Sequence, residues 1–327
     1  MIRCQTRIES WALHEPFEIA REVITDQAVL LLTLTDAAGH SGQAEAAGVD
    51  YDGETPARMA AQIAALLPRL HDGLGGAELL DWLPAGGARN ALDCALWDLR
   101  AKQSGVPVWQ AAGLPALQPV TTAFTIGLGD EATTRRKARA ARQYPLLKLK
   151  VDAQRHLEVV RWVREEHPGA RLVVDANQAW SPALLRELLP QLAEVGVELV
   201  EQPLARGLDA ALDGLQPPIP LAADESCTDR ASLPALVGRY QFVNIKLDKC
   251  GGLTEALVLA AEARRLGLGL MVGNMCGTSL AMAPAFLLAQ SCSYVDLDGP
   301  LLQQQDRAVP LQYDRGVIQP PSPALWG

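Results

Sequence analysis

Histidine runs out early in this 327-residue chain: the five are His14, His40, His71, His156 and His167, and none follows the last. A histidine base on any late element is therefore excluded, which leaves lysine as the ready base. No Gly-x-Ser-x-Gly elbow is present, so hydrolysis by a serine nucleophile is not indicated. The six cysteines (Cys4, Cys94, Cys227, Cys250, Cys276, Cys292) show no CxxC or other ligand spacing. They read as small apolar side chains in a reducing compartment rather than as a zinc or redox site. A basic excess is missing as well: the net charge of −9 argues against a nucleic-acid partner. No apolar run is long enough to span a bilayer. Glu9, His14, Glu15 and Glu18 interrupt the stretch from Met1 to Ala20 where a signal peptide needs apolar residues. There is no nucleotide fingerprint either, since the glycine-rich segment His71–Gly76 lacks a preceding β run and a phosphate lysine and reads as a loop. These absences point to a cytoplasmic protein, away from membranes and nucleic acids.

With 49% hydrophobic and 20% charged residues, the chain can bury one large or two ordinary cores. The first third is mixed. Ala28–Thr35 reads as a strand feeding a hairpin at Gly39, and Pro56–Leu70 and Ala88–Ala101 as helices. From about Val120 the pattern becomes a regular alternation. Strands are expected at Thr121–Ile126, Leu146–Val151, Leu172–Asp175, Glu198–Glu201, Pro220–Ala223, Phe242–Lys246, Leu268–Val272 and Tyr294–Asp298. Helices such as Leu157–His167, Pro182–Val195 and Thr254–Leu266 separate most of them. This is an α/β pattern, and it suggests a (β/α)7β TIM-type barrel over residues 116–299. Residues 1–115 would form an α+β capping domain, joined by the C-terminal segment 300–327.

Charged residues end the strands. Lys150, Asp175, Glu201, Asp224 and Lys246 follow one another at intervals of 22 to 26 residues, about one strand-plus-helix unit. A parallel barrel brings the C-termini of its strands to one mouth, so these side chains would converge. A lone acid at a strand end is most simply an N-cap for the next helix. Three in succession instead form a cluster that repels itself unless a cation intervenes, and hard oxygen ligands suit Mg²⁺. Asn177 and Glu225 are near enough to support these ligands. Period two puts Lys148 and Lys150 on one face of a strand whose other face is apolar, so both point inward, and two adjacent ammonium groups depress each other's pKa. Asp248 shares the face of Lys246 if that strand continues, and could pair a lysine; Lys249 falls in the following loop and could be solvated. Asp296 and Asp298 close the last strand and could hold a cationic group, although Asp298-Gly299-Pro300 is also ordinary turn chemistry.

Lys148-Leu149-Lys150, Asp175-Ala176-Asn177, Glu201-Gln202-Pro203, Asp224-Glu225-Ser226 and Asn244-Ile245-Lys246 together resemble, in order and spacing, the muconate-lactonising-enzyme subgroup of the enolase superfamily. The resemblance extends through Leu83–Gly86 and Trp97-Asp98-Leu99 and covers nearly the whole chain. Asp296-Leu297-Asp298 looks like the aspartate pair with which the dipeptide epimerases of that superfamily hold a substrate α-ammonium group. The best-known of these interconvert L-Ala-L-Glu and L-Ala-D-Glu during use of murein peptides. The resemblance implies Mg²⁺ on Asp175, Glu201 and Asp224, with Lys150 and Lys246 as opposed bases for a 1,1-proton transfer. It also implies that Lys148 supports the anion and lowers the pKa of Lys150. Arg21, set among Glu15, Glu18, Glu22 and Asp26, is the basic residue of the capping loop that could meet the second side chain of a dipeptide. Barrels of this kind often assemble as homo-oligomers. A lyase or cycloisomerase of the same subgroup, of the o-succinylbenzoate synthase or muconate cycloisomerase type, would share the lysines and acids but needs no Asp296/Asp298 pair. A non-catalytic peptide- or metabolite-binding barrel would need none of the proton-transfer residues, yet every one is filled.

Overall fold

The computed structural model describes residues 2–71 and 73–327, so Asp72 of the glycine-rich segment lies outside the described residues. Strands β1 (Arg3–Glu18), β2 (Val23–Thr35) and β3 (Ser41–Ala46) form an antiparallel meander. The expected strand at Ala28–Thr35 is the enclosed half of β2, where Val29, Leu30 and Leu32 are wholly buried. Strand β1 has mostly exposed side chains and no apolar alternation to announce it. Backbone pairing along β2 holds it in place, from Arg3 opposite Thr35 to Glu18 opposite Val23. Helix α1 (Pro56–Leu66) starts at Thr55, whose hydroxyl accepts from Arg58 N at 3.2 Å. It stops short of the expected Leu70 because Pro68 lacks the N–H a continuing helix needs, and a 3₁₀ turn, Leu67–Arg69, follows. Helix α2 (Gly76–Trp82) leads into α3 (Gly87–Ser104), which lies across the meander. The approach of α3 to β3 depends on Gly42: a Cβ there would collide with Ala95 O and Leu99 N. Gly42→Ala should therefore cost about 1–3 kcal/mol, read as a fall in the denaturant midpoint at unchanged slope.

After α4 (Val108–Ala111) the chain enters the alternating region. The expected strand Thr121–Ile126 is two pieces, β4 (Val120–Thr121) and β5 (Phe124–Ile126). Then follow α5 (Glu131–Ala140), β6 (Leu146–Lys150), α6 (Leu157–Glu166), β7 (Arg171–Asp175), α7 (Pro182–Glu194), β8 (Val197–Glu201) and β9 (Leu221–Ala223). The remainder is α8 (Leu233–Leu236), β10 (Phe242–Ile245), α9 (Leu247–Cys250), α10 (Leu253–Arg265), β11 (Gly269–Val272), α11 (Ser279–Ala289), β12 (Tyr294–Val295), α12 (Gly299–Leu302), β13 (Tyr313–Asp314) and β14 (Val317–Ile318). Strands β5 to β12 lie side by side in chain order as one parallel eight-stranded sheet. Ala123 N donates to Val295 O at 2.7 Å, which joins the first strand to the last and closes the barrel. Between β8 and β9 the link is a single 3₁₀ turn, Asp209–Leu212, rather than a helix. Outside the barrel, β14 pairs with β13 on one side and β4 on the other.

Strand period decides what faces inward. Leu147, Leu149, Val174 and Val200 point out to the helices and join the large core. Leu146, Val173, Leu199, Ala222, Met271 and Tyr294 point in and form a small apolar plug. Two residues further along five of those strands come Lys148, Asp175, Glu201, Asp224 and Asp296, so the same face turns from apolar to charged at the barrel mouth. The chain end docks on α3: Trp326 Nε1 donates to Cys94 O at 3.1 Å, and Gly327 N to Asp98 Oδ1 at 2.7 Å. The cysteines are all free. Among the described residues, no helix is long and apolar enough to cross a membrane.

Candidate active site

The lysines and carboxylates at the mouth form one ion-paired network. Lys148, 1% exposed, reaches Asp175 Oδ2 at 3.0 Å, Glu201 Oε2 at 2.8 Å and Asp296 Oδ2 at 2.8 Å. Lys150 Nζ donates to Asp175 Oδ2 at 2.7 Å and Asn177 Oδ1 at 3.0 Å. Lys246 Nζ donates to Asp224 Oδ2 at 2.8 Å. Asn244 Nδ2 donates to Glu201 Oε1 at 2.8 Å. The backbone bends to make this possible: Asn177, Gln178 and Gln202, just past β7 and β8, hold φ values of 41°, 70° and 32°. Such angles are costly for residues other than glycine and collect at functional sites.

Position around the barrel matters more than any one distance. Strands β6 and β10 are four apart in a closed eight-stranded barrel, so Lys150 and Lys246 enter the mouth from opposite sides. Asp175, Glu201 and Asp224 come from the three strands between. A cavity of about 320 Å³ lies over the mouth, and its wall includes Lys150, Asp224 and Lys246 from the barrel and Arg21 and Tyr51 from the capping segment. Arg21 thus reaches the site, where its Nη1 donates to Glu225 Oε1 at 2.7 Å. Asp296 and Asp298 are not on that wall. Asp296 is taken up by Lys148, and Asp298 Oδ2 accepts from Thr125 N at 2.6 Å.

Charge in the network is unbalanced toward the acids. Burial and the neighbouring Asp175 push the Glu201 carboxyl up to about 7 against the pull of Lys148. Burial and Asp296 likewise push Asp298 up to about 7. For Lys148 the expected depression is corrected here. Burial works to lower the Lys148 pKa, but Asp175, Asp296 and Glu201 outweigh it and hold it well above the usual lysine value. For Lys246, too, burial is outweighed by Asp224, and the pKa is raised.

Two further expectations are corrected. Strand β10 ends at Ile245, so Asp248 does not share its face; its Oδ1 accepts from Gly48 N at 2.9 Å and ties the barrel to the capping segment. Lys249 is not solvated. The single turn of α9 folds it back, 4% exposed, to reach Asp224 Oδ1 at 2.6 Å and Asn244 O at 3.0 Å. Gln202, quoted in the sequence only as part of a motif, braces the next strand: its Oε1 accepts from Asp224 N at 2.9 Å. Burial of a lysine in a post-strand loop leaves no mark in the residue pattern, and only the close approach of α9 reveals it.

Among the described residues, no group of three or more His, Cys, Asp or Glu side chains stands ready-made around a metal position. The reason is visible, since Lys148 bridges Asp175 and Glu201. The donor chemistry nevertheless fits a hard cation. Glu201 Oε2 is buried and accepts no hydrogen bond among the described residues, despite its ion pair with Lys148. An orphaned carboxylate oxygen beside two other buried acids is a position where a divalent cation relieves repulsion.

A parallel barrel with opposed lysines and strand-end acids defines a class of proton-transfer barrels. Residues 130–324 match the enolase C-terminal domain-like family, and residues 1–113 match the N-terminal domain of the mandelate racemase / muconate lactonizing enzyme family. The chain belongs to that family of the enolase superfamily. It is 43% identical over 312 residues to an L-Ala-D/L-Glu epimerase of Escherichia coli, covering 95% of this chain and 97% of the relative. It is 45% identical over 250 residues to an N-acetyl-D-glutamate racemase of a Pseudoalteromonas species, covering 76% and 79%. A crystal structure of an enolase family member from Agrobacterium tumefaciens, with homology to dipeptide epimerases and with sodium and L-Ala-L-Glu bound, superimposes with a TM-score of 0.96 at 42% identity over the full length of both chains.

Proposed function

We propose that this protein is a dipeptide epimerase, an isomerase that inverts the α-carbon of the C-terminal residue of L-Ala-L-Xaa dipeptides, with L-Ala-L-Glu as the preferred substrate. The observation that carries this reading is the entry of Lys150 and Lys246 from opposite sides of one mouth, onto one cavity. Inversion needs a base on each face of the α-carbon, because a single base returns the proton to the side it came from. One lysine takes the α-proton and the other delivers one to the opposite face, and the roles exchange with direction. Asp175, Glu201 and Asp224 would hold Mg²⁺, favoured over a monovalent ion by three acidic ligands. The bound ion supplies positive charge to the substrate carboxylate as negative charge builds there. Lys148 adds a fixed ammonium beside it. Asp296 and Asp298, four strands round from Glu201, take the α-ammonium group, and Arg21 faces the second side chain. In this reading residues 1–115 with 300–327 cap the barrel 116–299, and the enzyme works on murein-derived dipeptides in the cytoplasm.

One observation favours a second reading. Asp296 and Asp298 are engaged by Lys148 and Thr125 and do not line the cavity. A substrate without an ammonium group, such as an N-acylated glutamate, requires neither. The test is ¹H NMR in D₂O with Mg²⁺ on L-Ala-L-Glu, other L-Ala-L-Xaa dipeptides and N-acetyl-glutamate. Growth of the L-Ala-D-Glu diastereomer, faster than inversion of any other compound, is the expected result. Inversion of N-acetyl-glutamate alone would move the assignment to the second reading, and no inversion of any compound would remove both.

A further inference from the structure

The cavity contains a polar group that the proton-transfer chemistry does not use. The Tyr51 hydroxyl is shielded from solvent and has no hydrogen-bond partner among the described residues. Its ring lies on the cavity wall with Arg21, Glu225 and Lys246. Two guanidinium groups fix that ring, Arg21 at 4.9 Å from its centroid and Arg206 at 5.7 Å. Arg206 in turn is anchored to Asp52, with Nη1 to Oδ2 at 3.1 Å. Burial, followed by the nearby charges of Asp224 and Glu225, raises the Tyr51 pKa, so the hydroxyl keeps its proton and acts as a donor. A buried donor left without an acceptor is costly unless a ligand supplies one.

We infer that Tyr51 is a specificity-determining residue: its hydroxyl and the Arg21 guanidinium form a two-point site for an acceptor of negative charge, the side-chain carboxylate of the second residue of the substrate. Arg21 alone is a poor discriminator. Glu225 already neutralises one edge of it, and Glu22 and Asp50 stand on the same wall. A neutral donor beside it adds direction without adding charge, and it favours a terminal carboxylate over an aliphatic side chain. The inference rests on the epimerase reading and deepens it by naming the residue that selects the second side chain.

Tyr51→Phe deletes the hydroxyl and keeps the ring between the two guanidinium groups. The expected result is a roughly tenfold or greater rise in KM for L-Ala-L-Glu with kcat little changed, the signature of lost binding common to ground and transition states. For L-Ala-L-Met, assayed at high enzyme concentration, kcat/KM should stay within about twofold, so the Glu-to-Met preference narrows about tenfold. An unchanged preference would overturn the inference, as would an equal loss on both dipeptides. Calorimetric binding of L-Ala-L-Glu to wild type and Tyr51→Phe keeps the two levels separate. If the wild type binds the dipeptide but inverts nothing, the epimerase reading fails, while a weaker affinity in the variant still supports the Tyr51 site. Equal affinities remove the Tyr51 site alone.

Discussion

Lys246→Met should abolish net epimerisation of L-Ala-L-Glu, by about a thousandfold or more, and yet leave α-proton exchange with solvent in one of the two diastereomers. The reason is the placement of the lysines. Each faces the mouth from its own side of the barrel, so removing one disables proton delivery to one face only. Lys150 keeps its contacts with Asp175 and Asn177, neither of which involves Lys246. The remaining base can still remove the proton that faces it and return a deuteron. Lys150→Met should show the mirror result, with exchange confined to the other diastereomer. The measurement is ¹H NMR of each diastereomer separately in D₂O. Exchange of both diastereomers by the same single-lysine variant would show that one base reaches both faces.

The second large effect concerns Glu201, and it has opposite signs for stability and activity. In the protein without a bound cation this carboxylate is buried, faced at Oε2 only by Lys148, which it shares with Asp175 and Asp296, and crowded by Asp175 and Asp224. Glu201→Gln removes a charge that is poorly matched to its surroundings while keeping an acceptor for Asn244 Nδ2, so the cation-free variant should melt no lower than the wild type. The same change removes one of three acidic ligands. Mg²⁺ should then bind more weakly by at least the roughly 10- to 100-fold that loss of a mere outer-shell partner costs and raise the melting temperature correspondingly less. Epimerisation at sub-millimolar Mg²⁺ should fall by about a thousandfold, or roughly 4 kcal/mol of barrier. Chelation of the wild type should reproduce the loss of activity, and added Mg²⁺ should restore it. Melting curves with and without Mg²⁺ decide the matter: an unchanged Mg²⁺-induced rise in Glu201→Gln would exclude Glu201 from the cation site.

What the residue pattern reveals and what it hides follow from the same geometry. Lys148, Asp175, Glu201 and Asp224 are legible because each interrupts an apolar strand at an inward position, two residues past a member of the plug. Asp296 follows the same logic, two residues past Tyr294 and still paired to β11 through its N–H to Val272 O at 2.9 Å, whereas Asp298 lies just before α12, where turn chemistry reads equally well. Strand β1 is invisible for a different reason, since backbone pairing with β2 holds it and its side chains barely contribute. Lys249 reads as a solvated loop residue and Asp248 as an extension of β10 because the one-turn helix α9 leaves no periodicity to detect. Tyr51 carries no motif at all. Its importance comes from two arginines, Arg21 and Arg206, 185 positions apart in sequence, that fold brings onto one ring.

Two lysines act from opposite faces of one α-carbon, and the first minutes of a wild-type reaction in D₂O test this most directly. Unlabelled L-Ala-L-Glu is mixed with the Mg²⁺-loaded enzyme, and the α-protons of both diastereomers are followed by ¹H NMR. The L-Ala-D-Glu formed should carry deuterium at the α-carbon from its first appearance, because the hydrogen it gains comes from the second, solvent-equilibrated lysine. Early L-Ala-D-Glu that retains the substrate α-proton would mean that one group carries the proton across, and it would contradict the two-lysine mechanism.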